Sequence, residues 1–581
     1  MEYALDQFER EVHTAIAATG RIPKPLIELA APKPNIPADL AFPTFRAAKE
    51  LGVPPPQLAQ ELAGTVRLSA DGLVSSVTSA GPFLNFSLDI QRFAAAVLAQ
   101  IERLGERYGS DDRGAGQTIV IDYSAPNIAK TMHVGHIRST IIGQSLYNIF
   151  SFQGYRTIGD NHLGDWGTQF GKNIAAILRW GKPQAEGEEA IAQIDKLYAE
   201  YNRLAKDDPA LDEEARAWSL KLEQGDPTAR ELWQWMVDLT MAANQPNYER
   251  LGIHFDHAYG ESFYAPMSEA VIEQALSSGV AYRDEKGAVV VAELEKNMPT
   301  FLLQRSDGGT LYHTRDIACI QFRVSEFSPA QIIYVVDARQ ELHFRQLFAL
   351  ARAMGEAQGV VLEHIKFGTI FDVSGKPFST RAGNMIYLAD LLNDAHARAR
   401  AIVDKTSPEI PEAERDEIAE IVGVGGVVYN DLYQDPRRNI TLDWDRMLAL
   451  EGNSSTYIQY MYARCKSILR NATEELQPSV GHENTALSAA LLTHPSEAAL
   501  IKQLARLPGA VREAADRYAP FVVGEWCYET ARALSGFYRD CSVLKAETPE
   551  LRVARLRLVA ATAQALKNGL ALLVIRVPER M

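Results

Sequence analysis

The spacing of apolar and polar residues changes character twice along the chain. Residues 1–115 combine a helical N-terminus, proline-rich connections, the helical text "FRAAKELGVPPPQLAQELAG" and a strand pattern in "GPFLNFSL". This mixture predicts a small α+β domain, and the polar, glycine-containing stretch "SDDRGAG" is typical of a linker.

Short apolar runs alternate with helical stripes over residues 116–385. "QTIVIDYS" is typical of a buried parallel strand, "GHIRSTIIGQSLYNIFSFQG" has apolar residues at helical spacing, and "RTIGDN" predicts a second strand. Later strands are predicted in "AVVVAEL", "IIYVVDA" and "KFGTIFDV". The fold class is therefore α/β, with a Rossmann-like, doubly wound parallel sheet that binds ligands at its carboxyl edge.

Two regions show helical periodicity without strand signals. An acidic, tryptophan-containing stretch at about 172–250 predicts a helical insertion between the two halves of the doubly wound domain. After residue 385 nearly all of the sequence shows helical periodicity. It predicts a connecting region over 386–450 and an α-helical bundle over 451–581.

Composition narrows the class of protein. The 581 residues, 46% of them hydrophobic and 23% charged, fit an ordinary globular chain of several domains. No apolar run approaches the ~20 residues that a membrane helix needs, and the acidic N-terminus resembles no targeting signal. The four cysteines form no CxxC pair, which argues against a metal site or disulfides and favours a cytoplasmic location. The net charge of −15 still permits nucleic-acid binding by a local basic face.

The stretch "YSAPNIAKTMHVGHIRST", residues 123–140, concentrates polar chemistry between the first parallel strand and its helix. Gly135 allows close approach to a helix start, where free N–H groups attract anions. His133 and His136 can donate to phosphate oxygens, and Lys130 adds a cation. This set suits attack at an α-phosphate with loss of pyrophosphate. Alternatively, the two histidines only cap a helix, which a bare HxGH would favour; the flanking strand and helix shift the balance.

Longer motifs now indicate a family. "HVGH" resembles the HIGH signature of class I aminoacyl-tRNA synthetases. "SAPNIAKTMHVGHIRSTIIGQSL", "NHLGDWGTQFG", "YHTRDIA", "VVDARQELHF" and "GKPFSTRAG" are similar to the arginyl-tRNA synthetase family in particular. The resemblance continues through "LDWDRMLALEGNSSTYIQYMYAR" to the terminal "PERM", and it covers the N-terminal domain more loosely.

The resemblance implies an activity and its partners. Members of this family join L-arginine and ATP into arginyl-adenylate and pyrophosphate, and then transfer arginine to the terminal adenosine of tRNA(Arg). It also implies Mg²⁺ arriving with ATP, activation that waits for tRNA, and a monomer.

The motif positions also imply an arginine pocket. The substrate guanidinium is planar and always charged, so the pocket needs carboxylates. The positions that match are Asp122, Asn127, His162, Tyr312, Asp316 and Gln340. Simpler interpretations stay open for three of them: a strand-end cap for Asp122, an ion pair of Asp316 with Arg315, and a core histidine for His162.

The second class signature, KMSKS, is incomplete. In "SGKPFSTRAG" Lys376 is present, but Ser379 stands where the later lysine would be, and Arg381 is displaced by two positions. Within the family, the lysine before HIGH is proposed to compensate, and here that is Lys130. We therefore expect catalysis by His133, His136, Lys130 and Lys376, and ATP binding by His133, Gly135, His136, Lys376 and Ser379. The alternative for Lys130 is a solvated surface lysine.

The resemblance places tRNA contacts at both ends of the chain. Tyr457, Tyr460 and Met581 would meet the anticodon, since exposed aromatic rings stack on splayed bases. Asn85 and Phe86 would meet the tRNA elbow. The alternative for Tyr457 and Tyr460 is a place in the core, and for Asn85 and Phe86 it is a core pair at a strand edge.

Other functions fit less well. A cysteinyl enzyme would want zinc ligands, and a glutamyl enzyme would want cations in place of Asp122 and Asp316. An adenylate-forming ligase without tRNA would have no use for the helical C-terminus. A non-catalytic tRNA-binding relative would be favoured by an erased HxGH, but His133, Gly135 and His136 are all present.

Overall fold

The computed structural model describes residues 1–378, 385–472 and 488–581. It begins with an antiparallel sheet of order β1-β3-β2, formed by β1 (Leu40–Pro43), β2 (Val74–Ala80) and β3 (Phe83–Leu88). Its helices are α1 (Ala4–Ala17), α2 (Phe45–Leu51), α3 (Pro55–Thr65) and α4 (Ile90–Leu104). The helix predicted at the N-terminus is confirmed as α1, and the strand predicted in "GPFLNFSL" is confirmed as β3. Gly52, with φ +65°, ends α2 and separates it from α3, because only glycine adopts this conformation readily.

The central part holds the next eight strands and nine helices of the described residues. The strands are β4 (Thr118–Asp122), β5 (Arg156–Asp160), β6 (Ala281–Arg283), β7 (Val289–Val291), β8 (Phe301–Gln304), β9 (Gln331–Asp337), β10 (Val361–Phe367) and β11 (Ile370–Phe371). The helices are α5 (Val134–Phe152), α6 (Thr168–Trp180), α7 (Gly187–Ala205), α8 (Pro209–Glu223), α9 (Pro227–Leu251), α10 (Glu261–Tyr264), α11 (Ser268–Ser277), α12 (Tyr312–Phe327) and α13 (Glu341–Ala353).

Four of these strands form a parallel sheet of order β10-β9-β4-β5. Ile119 and Ile121 on β4 pack into one buried cluster, whereas Val120 packs into a second cluster on the opposite face. Both faces are therefore covered, as the apolar runs predict. Because β5 and β9 lie on opposite sides of β4, the loops diverge there and leave a crevice at the carboxyl ends. The α/β fold class is confirmed.

Two strand predictions need correction. "AVVVAEL" supplies only β7, and this strand belongs to a separate antiparallel sheet of order β6-β7-β8 instead of the parallel sheet. "KFGTIFDV" is not one strand, because the chain leaves the sheet at Gly368, whose N–H donates to the Pro436 carbonyl. After this break β11 pairs with β12 (Ile440–Thr441).

Helices α6 to α9 form the insertion predicted at about 172–250. The helices after residue 385 in the described ranges are α14 (Leu388–Thr406), α15 (Glu412–Leu432), α16 (Trp444–Met447), α17 (Ser455–Asn471), α18 (Pro495–Leu504), α19 (Leu507–Asp516), α20 (Phe521–Asp540) and α21 (Pro549–Leu572). Of the helices in the described ranges, none is both long and apolar enough to cross a membrane.

The first and last parts of the chain are in contact. The Asn568 side chain on α21 donates to the carbonyl groups of Gly105 (2.9 Å) and Tyr108 (3.0 Å). The buried Tyr108 hydroxyl donates to the Leu504 carbonyl at 3.1 Å. Ion pairs add to this interface: Arg512 with Asp6, Arg113 with Asp516, and Lys567 with Glu106. The N-terminal domain is thus docked on the C-terminal bundle.

Candidate active site

The crevice at the carboxyl ends of β4 and β9 contains a cavity of about 490 Å³. All six residues predicted for the arginine pocket lie in its wall: Asp122, Asn127, His162, Tyr312, Asp316 and Gln340. They come from four segments of the chain, which meet because parallel strands end at the same edge of the sheet. Their proximity is a geometric fact; their role in binding stays a prediction.

Asp316 is the best-defined anion of this cavity. Its Oδ2 lies 2.7 Å from His343 Nε2, and its Oδ1 lies 4.0 Å from His162 Nε2. Burial opposes ionisation, but the hydrogen bond with His343, together with the charges of His343, His162 and His313, outweighs it and holds the pKa of Asp316 below its ordinary value. The neighbouring Arg315 does not pair with Asp316; it pairs with Glu261 at 2.9 Å. The cavity therefore presents a carboxylate that is ionised at neutral pH.

Asp122 differs from the free carboxylate that the motif suggested. The side chain of Arg323, which is fully buried, donates from Nη2 to Asp122 at 2.7 Å and to Asp160 at 2.6 Å. Burial raises the pKa of Asp122, although Arg323 acts in the opposite sense. Asp122 thus faces the cavity with part of its charge already countered by a guanidinium of the protein itself.

Glu261 is a wall residue that sequence reasoning missed. It opens the short helix α10, in text that no quoted motif covers, and its partner Arg315 lies 54 positions later in the sequence. No local pattern marks such a pair. After Asp122 and Asp316 it is the third acidic group of the wall, and Arg315 counters its charge.

The HVGH segment builds the start of α5. His133 is the N-terminal capping residue, and its Nδ1 accepts the Gly135 N–H at 3.1 Å. His136 Nδ1 accepts the His133 N–H at 3.1 Å. A neutral imidazole that accepts through Nδ1 carries its proton on Nε2, so each ring keeps one N–H to donate. The helix-capping interpretation is therefore correct, and it is compatible with phosphate binding.

Gly135 has a steric reason to be glycine. A Cβ atom at this position would lie 2.8 Å from the His133 ring, closer than real Cβ contacts. Any side chain there would push His133 away from the helix start. The glycine of the HxGH pattern is thus required because the His133 ring packs against it.

Both histidines are held neutral. Burial and the nearby charge of Lys130 lower the pKa of His133, and burial with the contact to His133 lowers the pKa of His136 to about 3. Lys130 is exposed, and among the described residues no carboxylate lies within ion-pair distance of it. This end of the crevice offers neutral N–H donors and a cation without a partner in the described residues.

The neutral state of His136 predicts a dependence of stability on pH. Below pH 6.5 the unfolded chain protonates His136 but the folded chain does not, so the free energy of unfolding falls by up to about 1.4 kcal/mol per pH unit from this group. In His136→Gln, which keeps an acceptor for the His133 N–H, this contribution disappears. Urea unfolding between pH 6.5 and 4.5 should therefore show a shallower decline for the variant. Parallel curves would contradict the neutral assignment.

The loop between β4 and α5 is strained. Ser124, Ala125 and Ala129 have φ values of 73°, 48° and 63°, a region that costs a residue with a Cβ about 1–2 kcal/mol. Asn127 lies between them and bridges to Gly164 of the "NHLGD" motif. A Cβ on Gly164 would lie 2.6 Å from Asn127 Oδ1, so this glycine leaves room for the asparagine.

The KMSKS-like loop is described in part. Lys376 is exposed in a turn after β11, where its N–H donates to Asp372 Oδ1 at 2.9 Å. Ser379, like Arg381, lies outside the described residues, and its predicted role remains a prediction. The chain that follows is pinned to the HVGH segment: Val134 N–H donates to the Ile386 carbonyl at 2.9 Å. The chain just after the KMSKS-like loop is therefore in direct contact with the HVGH segment.

The C-terminal bundle has two open grooves with the predicted tyrosines. Tyr460, 37% exposed, shares a groove of about 400 Å³ with Met581 and three arginines. The arginines are Arg464, Arg470 and Arg580. Tyr457 is half-buried and lines a different groove of about 550 Å³. The predicted pair therefore does not share one surface.

The expectation of tRNA contacts at Asn85 and Phe86 needs correction. Asn85 is 2% exposed and Phe86 is fully buried, because β3 is the central strand of its sheet. Neither side chain can meet a macromolecule in this conformation. Phe83 on the same strand is partly exposed, with Lys33 over its ring at 4.7 Å and Phe45 against its edge.

Three family models match the chain. They are described as "tRNA synthetases class I (R), catalytic domain" at residues 98–444, "Arginyl tRNA synthetase N terminal domain" at residues 6–88, and "DALR anticodon binding domain" at residues 458–581. Together they span nearly the whole chain.

Known proteins agree with the models. An arginine–tRNA ligase of Chloroflexus aurantiacus is 63% identical over 581 residues, covering 100% of both chains. One from Alkaliphilus metalliredigens is 38% identical, covering 98% of both. The solved arginyl-tRNA synthetase of Thermus thermophilus has the same fold, with a TM-score of 0.80 at 24% identity, covering 98% of this chain and 100% of that one. With its HVGH helix start and acidic cavity in the places that the motifs predict, this chain belongs to the arginyl-tRNA synthetase family.

Proposed function

We propose that this chain is an arginine–tRNA ligase. In the first step it joins L-arginine and ATP into arginyl-adenylate and releases pyrophosphate. In the second step it transfers the arginyl group to the 3′-terminal adenosine of tRNA(Arg). The observation that carries the proposal is the acidic cavity, which holds an ionised Asp316 at the carboxyl edge of the sheet, where α5 begins after β4.

The cavity suits a cationic amino acid. Asp316 pairs with the substrate guanidinium, and Tyr312 at the start of α12 covers it from the open side. Asn127, His162 and Gln340 add polar groups to the wall, and Asp122 faces the cavity with Arg323 behind it. A neutral amino acid would bring no cation to pair with this ionised carboxylate, so it would bind less tightly.

The HVGH segment suits the phosphates of ATP. The N–H groups at the start of α5, together with the Nε2–H groups of His133 and His136, donate to phosphate oxygens as charge develops on them. Lys130 and Lys376 supply positive charge on the two signature segments. Mg²⁺ enters with ATP and is held by phosphate oxygens and water.

The bundle would bind tRNA through the groove of Tyr460 and Met581, where aromatic and cationic groups meet an anticodon base and its backbone. Tyr457 would contribute from its own groove. We further propose that activation waits for tRNA, and that the chain works as a monomer in the cytoplasm. These statements rest on family membership.

The test is ATP–pyrophosphate exchange with arginine, with and without tRNA(Arg). We expect exchange only when both arginine and tRNA are present, and none with lysine or citrulline in place of arginine. Exchange without tRNA would still support the ligase function, but it would show that activation does not depend on tRNA binding by the C-terminal bundle. Absence of exchange in both conditions, with tRNA still bound, would favour a non-catalytic tRNA-binding relative.

A further inference from the structure

The strained loop from residue 124 to residue 130 carries two of the proposed functional side chains, Asn127 and Lys130. Its left-handed residues persist only if the surroundings hold them. Each of the three has its backbone N–H bound by a side chain from a different element. The bonds are Ser124 N–H to Ser139 Oγ (3.0 Å), Ala125 N–H to Asn161 Oδ1 (3.1 Å) and Ala129 N–H to Thr240 Oγ1 (3.0 Å).

The third bond comes from the helical insertion. Thr240 lies on α9, is fully buried, and donates its own proton to the Met236 carbonyl at 2.7 Å. This donation orients the hydroxyl so that a lone pair faces the Ala129 N–H. Thr240 therefore binds the backbone of Ala129, the residue immediately before Lys130.

Two turns later, α9 binds the loop again. The Tyr248 hydroxyl lies 2.9 Å from Ser124 Oγ, and Asn161 Nδ2 donates to the same hydroxyl at 3.4 Å. Tyr248 is 2% exposed, and no quoted motif includes it. The helix thus holds both ends of the strained segment, with Asn127 between them.

We propose that Thr240 and Tyr248 are positioning residues of the activation reaction, through which the insertion helix α9 fixes Lys130 and Asn127. They touch neither substrate; they act by holding the loop in its left-handed conformation. The inference rests on the proposed roles of Lys130 and Asn127. If it is right, the insertion sets the geometry of the reacting groups from behind the active site.

Thr240→Val tests the first contact, because valine keeps the shape and removes the acceptor. We expect tRNA-dependent ATP–pyrophosphate exchange to fall about tenfold or more, since a buried N–H without a partner weakens the loop conformation. Thr240→Ser keeps the hydroxyl and should stay within about twofold of the parent chain. Tyr248→Phe removes the second contact and should also lower the rate. Loss of rate in both Thr240 variants, or in neither, would overturn the proposal.

A matched control separates positioning from general stability. Leu211→Ala on α8 removes a buried apolar side chain from a cluster formed by residues of α6, α7 and α8. It should lower the melting temperature at least as much as Thr240→Val while keeping most of the exchange rate. If Leu211→Ala lowers the rate as strongly as Thr240→Val, the effect of Thr240 is one of stability alone.

A double-mutant cycle identifies the group through which Thr240 acts. In a Lys130→Ala chain, Thr240→Val should lower the maximal rate by less than about twofold, because the positioned cation is already gone. A full tenfold loss in both backgrounds would contradict the proposal. Amide hydrogen exchange adds a readout that needs no activity: residues 124–130 should exchange faster in Thr240→Val and not in Leu211→Ala. Unchanged exchange there would refute the contact even if the chain proved inactive, so failure of the proposed function is recognised separately.

Discussion

Asp316→Asn should raise the KM for arginine about 100-fold or more and leave the KM for ATP within about threefold of its parent value. Truncating one partner of a desolvated, hydrogen-bonded charge pair costs about 2–5 kcal/mol, which corresponds to this range. Asparagine has nearly the same shape, so the cavity keeps its volume. Only the negative charge and its match to a guanidinium are lost. Initial rates of ATP–pyrophosphate exchange with tRNA, at varied arginine and varied ATP, measure both constants.

Asp394→Asn is the matched control for this substitution. Asp394 lies exposed on α14, where it pairs with Arg398 at 3.1 Å, and such pairs contribute little. It should behave like the parent chain. An arginine KM for Asp316→Asn within threefold of the parent value would mean that the guanidinium binds elsewhere, and Glu261 would be the next residue to replace.

Lys130→Ala should lower the maximal rate of exchange by about 10²–10³-fold, the usual effect of removing one preorganised group that stabilises transition-state charge. The KM for arginine should change by less than about threefold, because Lys130 is not in the wall of the cavity. Lys130→Arg keeps the charge and should recover part of the rate. Lys405→Ala, at an exposed position on α14, is the control and should have no effect. Near-normal turnover of Lys130→Ala would refute compensation for the missing signature lysine.

Comparison with Lys376→Ala then shows how the two segments share the charge. The chain that follows the KMSKS-like loop is bound to the HVGH segment, since the N–H of Leu388 donates to the Met132 carbonyl at 3.0 Å. If both lysines act on the same phosphate group, the effects of the two substitutions will not multiply in the double variant. Independent roles would give multiplied losses.

Sequence motifs located the cavity well for a topological reason. Asp122 is the last residue of one buried strand and Gln340 follows another, so a parallel sheet brings them to one edge. The histidines were equally predictable, because a strand, a glycine and an amphipathic helix fix where the helix begins. In each case the local sequence determines where the side chain lies.

Other features depend on contacts between residues that are far apart in the sequence, which the local sequence does not reveal. The ion pairs of Arg323 span 163 and 201 positions, and the bond from Ala129 to Thr240 spans 111. Phe86 shows a second limit: alternation along β3 cannot reveal that both faces of this strand are covered. Such facts follow from tertiary packing, and only the folded chain provides them.

The docking of the N-terminal domain on the last helix has a consequence for biosynthesis. The hydrogen bond to the Gly105 carbonyl cannot form until Asn568, 463 positions later, has been synthesised. At about 5–20 residues per second, that gap corresponds to roughly 20–90 s of translation. During this time the first domain has emerged from the ribosome with its docking face exposed to water. We therefore expect nascent chains that stop before α21 to need chaperone protection of this face, even though their first domain is already folded.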